Sequence, residues 1–328
     1  MGIIVQKYGG KLVADKEKLE KVAKSIESTY NKGKKVVVVV SAQGDMTDRL
    51  NDKINELSKT PNKREVDVVL SAGEQITIGL LAILLEEHGY KAVSYCGWQA
   101  GIVTNDKHTE ARIENLNNKV INKKLNEGYI VIVAGFQGVD SSNDITTLGR
   151  GGSDTTATYL AAALNAECCE IYKDTKSIYT ADPKLVRTAK KLDNIGYKQM
   201  LELSNLGAKV LCNSSVEFAE KNKINLVIKS VEDDVVGTSI NEKGCEQKYV
   251  IAGATKREYS EKLDMISFVI NEKSEYKKKI MPEIEKILSE NNIEKYTIEK
   301  SEEKISIILD KNISLDILRK SHDRLIIE

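Results

Sequence analysis

The sequence predicts an α/β sandwich with a mainly parallel central sheet, followed by a small ferredoxin-like α+β unit. Two observations carry this reading. Up to about residue 235, short apolar runs alternate with segments of helical period, the βαβ rhythm that builds parallel sheets. After Gly237-Thr238-Ser239 and a polar stretch, the remaining elements follow the order βαββαβ. With 328 residues, 41% of them hydrophobic, the chain can bury more than one core, and residues 1–240 and 241–328 are the expected domains.

The elements follow in order. Gly2-Ile3-Ile4-Val5-Gln6-Lys7-Tyr8 is an apolar strand that delivers a lysine and then Gly9-Gly10. Asp15 to Tyr30 places Leu19, Val22, Ala23 and Ile26 at helical spacing. Lys34 to Ser41 is a β-branched run, as expected of a strand covered on both faces. A long apolar-rich helix is expected from Glu65 to Glu87, and strands recur near Lys91–Tyr95, Tyr129–Ala134, Glu167–Tyr172 and Ile224–Lys229. In the smaller unit, Asp264–Ile270 reads as a strand and Tyr276–Ser289 as a helix. Tyr296–Glu299 and Lys304–Leu309 read as a hairpin, Leu315–Ser321 as a helix and Arg324–Ile327 as a last strand.

Charge excludes some functions. The 49 basic residues balance 49 acidic ones, and aromatics are few, so no nucleic-acid surface is indicated. No signal peptide and no apolar run of spanning length is read, which fits a cytoplasmic protein without a membrane partner. The five cysteines show no metal spacing; Cys168-Cys169 reads as small core hydrophobes. His88 and His108 read as ordinary surface residues, and no protein-held metal is expected.

The segment from Asp144 to Asp154, Asp-Ile-Thr-Thr-Leu-Gly-Arg-Gly-Gly-Ser-Asp, lies between an apolar strand and the helix former Thr156–Leu164. Its glycines let backbone amides crowd a ligand, Ser153 is a candidate N-cap, and a helix start favours a negative group. Arg150 adds a planar fork for a carboxylate or phosphate. A lysine on a strand end beside Gly9-Gly10 is a second phosphate-binding arrangement. Neither a Walker A loop nor a G-x-G-x-x-G fingerprint occurs. In parallel sheets ligands sit beyond the carboxyl ends of the strands, where Lys7, Ser41, Gly135 and Asp174 all fall.

Eight blocks in order resemble the aspartate kinases of the amino acid kinase superfamily. They are Val5–Gly10, Val40–Asp48, Leu70–Glu74, Ile132–Gly138, Thr146–Asp154, Glu170–Asp174, Tyr179–Pro183 and Gly207–Leu211. The trailing unit resembles a single ACT domain. The resemblance implies an amino acid kinase-like sandwich that uses ATP and Mg²⁺ to phosphorylate the L-aspartate side chain, in a homodimer or higher homo-oligomer. It implies that Lys7 and Lys209 contact the transferring phosphoryl, that Asp154 orients them, and that Gly9, Gly10 and Ser41 cradle phosphates. Glu74 would bind the α-ammonium and Arg150 the α-carboxylate, with Thr47, Phe136, Gly151 and Ser153 lining that pocket. Asp174, Tyr179 and Lys184 would hold the nucleotide. Locally, Glu74 reads equally as a helix-dipole partner, a loop ion pair is the commoner fate of a lone arginine such as Arg150, and Tyr179 also reads as core.

The chain departs from the family pattern at the nucleotide end. Lys11 replaces a small hydroxyl residue after Gly-Gly. Lys173-Asp174-Thr175-Lys176-Ser177 stands for Ser/Thr-Asp-Val-Asp-Gly, Lys184 for arginine, and Cys212-Asn213-Ser214 for His-Pro-Arg. These changes keep open a silent homologue with a binding or regulatory role. In the ACT-like unit the junction Asn271–Glu275 lacks the usual glycine, so self-association is expected of it rather than lysine or threonine sensing.

Overall fold

A computed structural model describes residues 2–175, 177–208, 210–232, 237–246 and 249–326. The chain forms two compact units, Met1–Lys176 with Lys221–Val236, and Ser177–Glu220 with Gly237–Glu328.

Elements are numbered along the chain. The first unit holds β1 (Ile3–Tyr8), α1 (Lys16–Asn31), β2 (Lys35–Val40), α2 (Met46–Leu57), α3 (Lys63–Glu87), β3 (Ala92–Tyr95), β4 (Ile102–Thr104) and β5 (Ile113–Leu116). It continues with α4 (Lys119–Asn126), β6 (Ile130–Ala134), β7 (Gln137–Val139), β8 (Ile145–Thr147), α5 (Gly152–Ala163), β9 (Cys168–Tyr172) and β11 (Leu226–Lys229). Strands β11-β9-β1-β2-β6-β3 are neighbours in that order, each adjacent pair parallel. The valines of β2 are fully buried, as a strand covered on both faces requires. On one face they pack with Leu19, Val22 and Ile26 of α1 and with Ile78, Leu81 and Leu85 of α3. Cys169 is a free thiol buried in β9, whose burial pushes its pKa well up, as befits a core position.

Helix α3 meets the length and hydropathy of a membrane-crossing segment, so one apolar run is longer than the sequence reading allowed. Half of its most apolar window is buried inside the protein, which accounts for that composition. A smaller sheet, β5-β4-β7-β8, was not foreseen. It takes Ile145–Thr147 out of the expected long loop, and the side chain of buried Asp67 on α3 helps hold it. Asp67 accepts from Thr147 Oγ1 at 2.5 Å and from the Thr109 amide at 3.1 Å, and pairs with His108 Nδ1 at 2.8 Å.

The second unit holds β10 (Asn194–Ile195), α6 (Tyr197–Asn205), α7 (Asn213–Asn222), β12 (Ser239–Ile240), β13 (Ile251–Glu258), β14 (Leu263–Ile270), α8 (Ile280–Glu290), β15 (Thr297–Lys300), β16 (Lys304–Asp310) and α9 (Lys311–Leu325). Its antiparallel sheet has the order β13-β14-β16-β15. The expected βαββαβ order is therefore corrected to ββαββα. Residues 324 and 325 are helical, and Ile327 lies outside the described residues. Asp310 caps α9 by accepting from the Asn312 amide at 2.8 Å, and Ile317, Leu318, Ser321, His322 and Leu325 are buried at helical spacing. The place beside β14 is filled by β13, which precedes it in sequence.

Candidate active site

The strand register of the first unit lines up the carboxyl ends. Tyr8 lies opposite Val40 and Tyr172, and Val40 opposite Ala134. The amide of Ser41 donates to the Tyr8 carbonyl at 3.2 Å and that of Gly135 to the Val40 carbonyl at 3.0 Å. Gly9, Ser41, Gly135 and Lys173 thus leave the sheet side by side.

Alternation along β1 sends Gln6 and Tyr8 to one face and Lys7 to the other. On the first face Gln6 Nε2 donates to Glu170 Oε2 at 2.8 Å, and Tyr8 stacks on Tyr172 with ring centroids 4.4 Å apart. On the second face Lys7 Nζ lies 2.7 Å from Asp154 Oδ1. Lys173, one residue past β9, places its ammonium 3.1 Å from the other oxygen, Oδ2. Burial alone would raise the Asp154 pKa, but the two ammonium groups hold it below the usual carboxylate range.

The glycines sit where side chains have no room. A Cβ on Gly10 would come within 2.5 Å of the Ala42 carbonyl oxygen, and one on Gly135 within 2.7 Å of Ser153 Oγ. Ser41 Oγ donates to Ser153 Oγ at 3.0 Å. The cap of α5 is Gly151, at φ 75°, and not Ser153. Only glycine adopts that conformation freely. Ser153 and Asp154 instead occupy the first turn, where backbone amides point outward and an anion is favoured.

Glu74 is buried on α3, with Oε1 accepting from the Ala42 amide at 3.0 Å. Its Oε2 is buried and has no hydrogen-bond partner. Burial pushes its pKa up to about 7, against the opposing pull of the Ala42 amide and of Lys7. Phe136 holds a left-handed φ of 71°, and its amide donates to Thr156 Oγ1 at 3.1 Å. Thr47 is half-buried in the first turn of α2, and Arg150 is exposed in the turn before Gly151.

Lys11 and Asp174 meet at 3.8 Å, with side chains 83% and 62% exposed. Of the expected nucleotide residues, Tyr179 and Lys184 fall in the second unit. Lys209, together with Lys176, lies outside the described residues. The residue the sequence reading passed over is Lys173. Its place comes from the parallel pairing of Lys7 with Ile171, which puts Lys173, two residues on, on the Lys7 face.

A second cluster, His108, Asp140 and Asp144, brings three potential ligand atoms within 4.8 Å. Asp144 is already taken by the Arg64 guanidinium at 2.6 Å.

A lysine and two glycines at aligned strand ends, a buried carboxylate and a helix start form a setting for phosphate. Comparisons with known proteins agree. The model of the amino acid kinase family matches residues 2–230. The aspartokinase of Geobacillus stearothermophilus is 51% identical over 254 residues, 77% of this chain and 62% of that protein. The chain thus spans less than two thirds of that relative's length. E. coli aspartokinase III in complex with aspartate and ADP superposes with a TM-score of 0.69 at 25% identity, over 99% of this chain and 85% of that one. The same enzyme with lysine and aspartate, at 21% identity, shares the fold with a TM-score of 0.80 over 98% and 99% of the two chains. The chain belongs to the amino acid kinase family.

Proposed function

We propose that this protein transfers the γ-phosphoryl group of ATP to the side-chain carboxylate of L-aspartate, giving 4-phospho-L-aspartate and ADP. The observation that carries the reading is the Lys7–Asp154 pair at the end of β1, beside Gly9-Gly10 and one short loop from Glu74. Relatives support the acceptor: the similar proteins are named aspartokinases, and one solved neighbour holds aspartate and ADP.

The chemistry asks little of the protein in proton transfer. A carboxylate oxygen attacks the γ-phosphorus, the bond to the β-phosphate oxygen breaks, and ADP leaves with the electron pair. The nucleophile is ionised near pH 7, so no general base is needed. What remains is alignment and charge neutralisation. Lys7 supplies a cation at the transferring group, with Asp154 holding it in place. The amides of Gly9, Gly10 and the first turn of α5 offer donors to phosphate oxygens. The unpartnered Oε2 of Glu74 is an acceptor for the α-ammonium, with Arg150 assigned to the α-carboxylate and Thr47, Phe136, Gly151 and Ser153 to the pocket wall. Lys209, Asp174, Tyr179 and Lys184 complete the nucleotide end of the proposal. Both Asp154 oxygens are engaged by ammonium groups, so Mg²⁺ is assigned to the substrate, as Mg-ATP.

Self-association through the ACT-like unit belongs to the same proposal. In the first unit, Ile76, Leu80 and Ile83 on α3 leave 47%, 42% and 65% of their surface exposed, a further apolar face for a second copy. The deciding experiment is ATP consumption coupled to added amino acids. Turnover with L-aspartate well above that with L-glutamate is expected; equal rates, or none, would overturn the acceptor assignment.

A further inference from the structure

Asp154 has more cation than it needs. Lys7 alone gives it an ammonium partner at 2.7 Å, which balances one buried charge with one. Lys173 adds a second at 3.1 Å, so the trio of two cations and one anion taken alone carries a net charge of +1, and burial favours the neutral form of Glu74, the other carboxylate that Lys7 acts on. A net charge held partly away from water is costly unless a counter-ion shares the site. The two lysines also differ in access. The Lys7 side chain is 8% exposed and that of Lys173 is 26% exposed, so Lys173 is the more accessible of the two.

The surroundings of the two ammonium groups favour an anion. Asp154 lies in the first turn of α5, where a helix start favours negative charge, and a Cβ on Gly9 would sit 3.6 Å from Lys7 Nζ. In the family pattern that the chain resembles, Lys173 stands where Ser or Thr is usual. A hydroxyl offers one neutral hydrogen bond there; an ammonium offers three donors and a full charge.

We propose that Lys173 is a second phosphate-binding cation, which together with Lys7 straddles the phosphate chain of a nucleoside triphosphate. Asp154 then acts as a spacer, one oxygen fixing each ammonium. The identity of the ligand rests on the kinase reading above; the geometry of the two lysines does not.

The test separates charge from structure. Lys173→Gln keeps a donor for Asp154 and deletes the charge, Lys173→Thr restores the family's hydroxyl, and Lys173→Arg keeps the charge. Mg-ATP, Mg-ADP and adenosine are titrated calorimetrically into the full chain and each variant. KM for L-aspartate and the thermal midpoint are followed alongside. The expected result is a loss of about tenfold or more in Mg-ATP affinity for Gln and Thr, equivalent to about 1.4 kcal/mol. Lys173→Arg should recover most of that affinity, while adenosine binding and KM for aspartate stay within about twofold.

A folded Lys173→Gln protein that binds Mg-ATP as the natural chain does would overturn the inference and leave the kinase reading intact. A Lys173-dependent affinity for Mg-ATP without any turnover of aspartate would sustain the inference and sink the acceptor assignment. No Mg-ATP binding by the natural chain would overturn both.

Discussion

The backbone amide of Ala42 donates to Glu74 Oε1 at 3.0 Å and ties the loop after β2 to α3 across 32 residues of sequence. One carboxylate oxygen is spent on the fold and the other is buried without a partner. Burial raises the Glu74 pKa from 4.5 to about 7, so the folded protein holds this proton more tightly than the unfolded chain does. Its contribution to stability is complete below the ordinary value and is lost as pH rises through about 7. An ammonium ligand reverses the preference by favouring the ionised form.

KM for L-aspartate is therefore expected to rise as pH falls below 7, by about tenfold between pH 8 and pH 6. Glu74→Gln should raise KM and remove that slope. Steady-state kinetics over this range checks it, and a KM indifferent to pH in the natural chain would take Glu74 out of the site.

Lys7→Met keeps the stem and deletes the charge. Asp154 retains Lys173 as a partner, so the variant is expected to fold. Loss of a cation at the transferring phosphoryl should lower kcat by roughly a hundredfold or more. Near-normal kcat would refute the role given to Lys7.

Lys11 replaces a hydroxyl residue, yet its side chain is 83% exposed and only loosely paired with Asp174 at 3.8 Å. An exposed pair of this kind contributes little. Lys11→Ser should change Mg-ATP affinity by less than about threefold, as read by calorimetric titration. A large loss would make Lys11 a phosphate ligand, and a large gain would favour the silent homologue.

His322 is buried on α9, with Nε2 2.9 Å from Thr180 Oγ1 and Nδ1 3.5 Å from both Thr188 Oγ1 and Asp323 Oδ1. Burial lowers its pKa below 6.5, against the pull of Asp323. Its contribution to stability is full above about pH 6.5 and falls as the unfolded chain takes up the proton at lower pH. The thermal midpoint should drop between pH 7 and pH 5, and His322→Gln should flatten that drop. Parallel pH curves for the two proteins would exclude His322 as the cause.

Legibility varied with how local the cause was. The valine run of β2 and the periodic Leu19, Val22 and Ile26 of α1 carry their structure in their own spacing, and both elements form within a residue or two of expectation. The strand ends that gather Gly9, Ser41 and Gly135 follow from the parallel rule alone. Lys173 was missed because its place depends on pairing between β1 and β9, which no local window contains. Strands β4, β7 and β8 have three residues each, and Asp67, distant in sequence, bonds to Thr147 of β8; spacing within the strands says nothing of that contact. The helix start was misplaced by two residues because Ser153 has the chemistry of a cap, while Gly151 has the backbone freedom.

Each compact unit is made from two separated stretches of chain, because Lys221–Val236 returns to the first after Ser177–Glu220 has entered the second. No single cut of the polypeptide releases either unit whole. Ending the chain after residue 176 would remove β11 from the parallel sheet, and starting it at residue 237 would remove α6 from the second unit. During synthesis from the N-terminus, the first unit therefore lacks a strand until residue 229 has emerged, by which time part of the second is already waiting for partners not yet made.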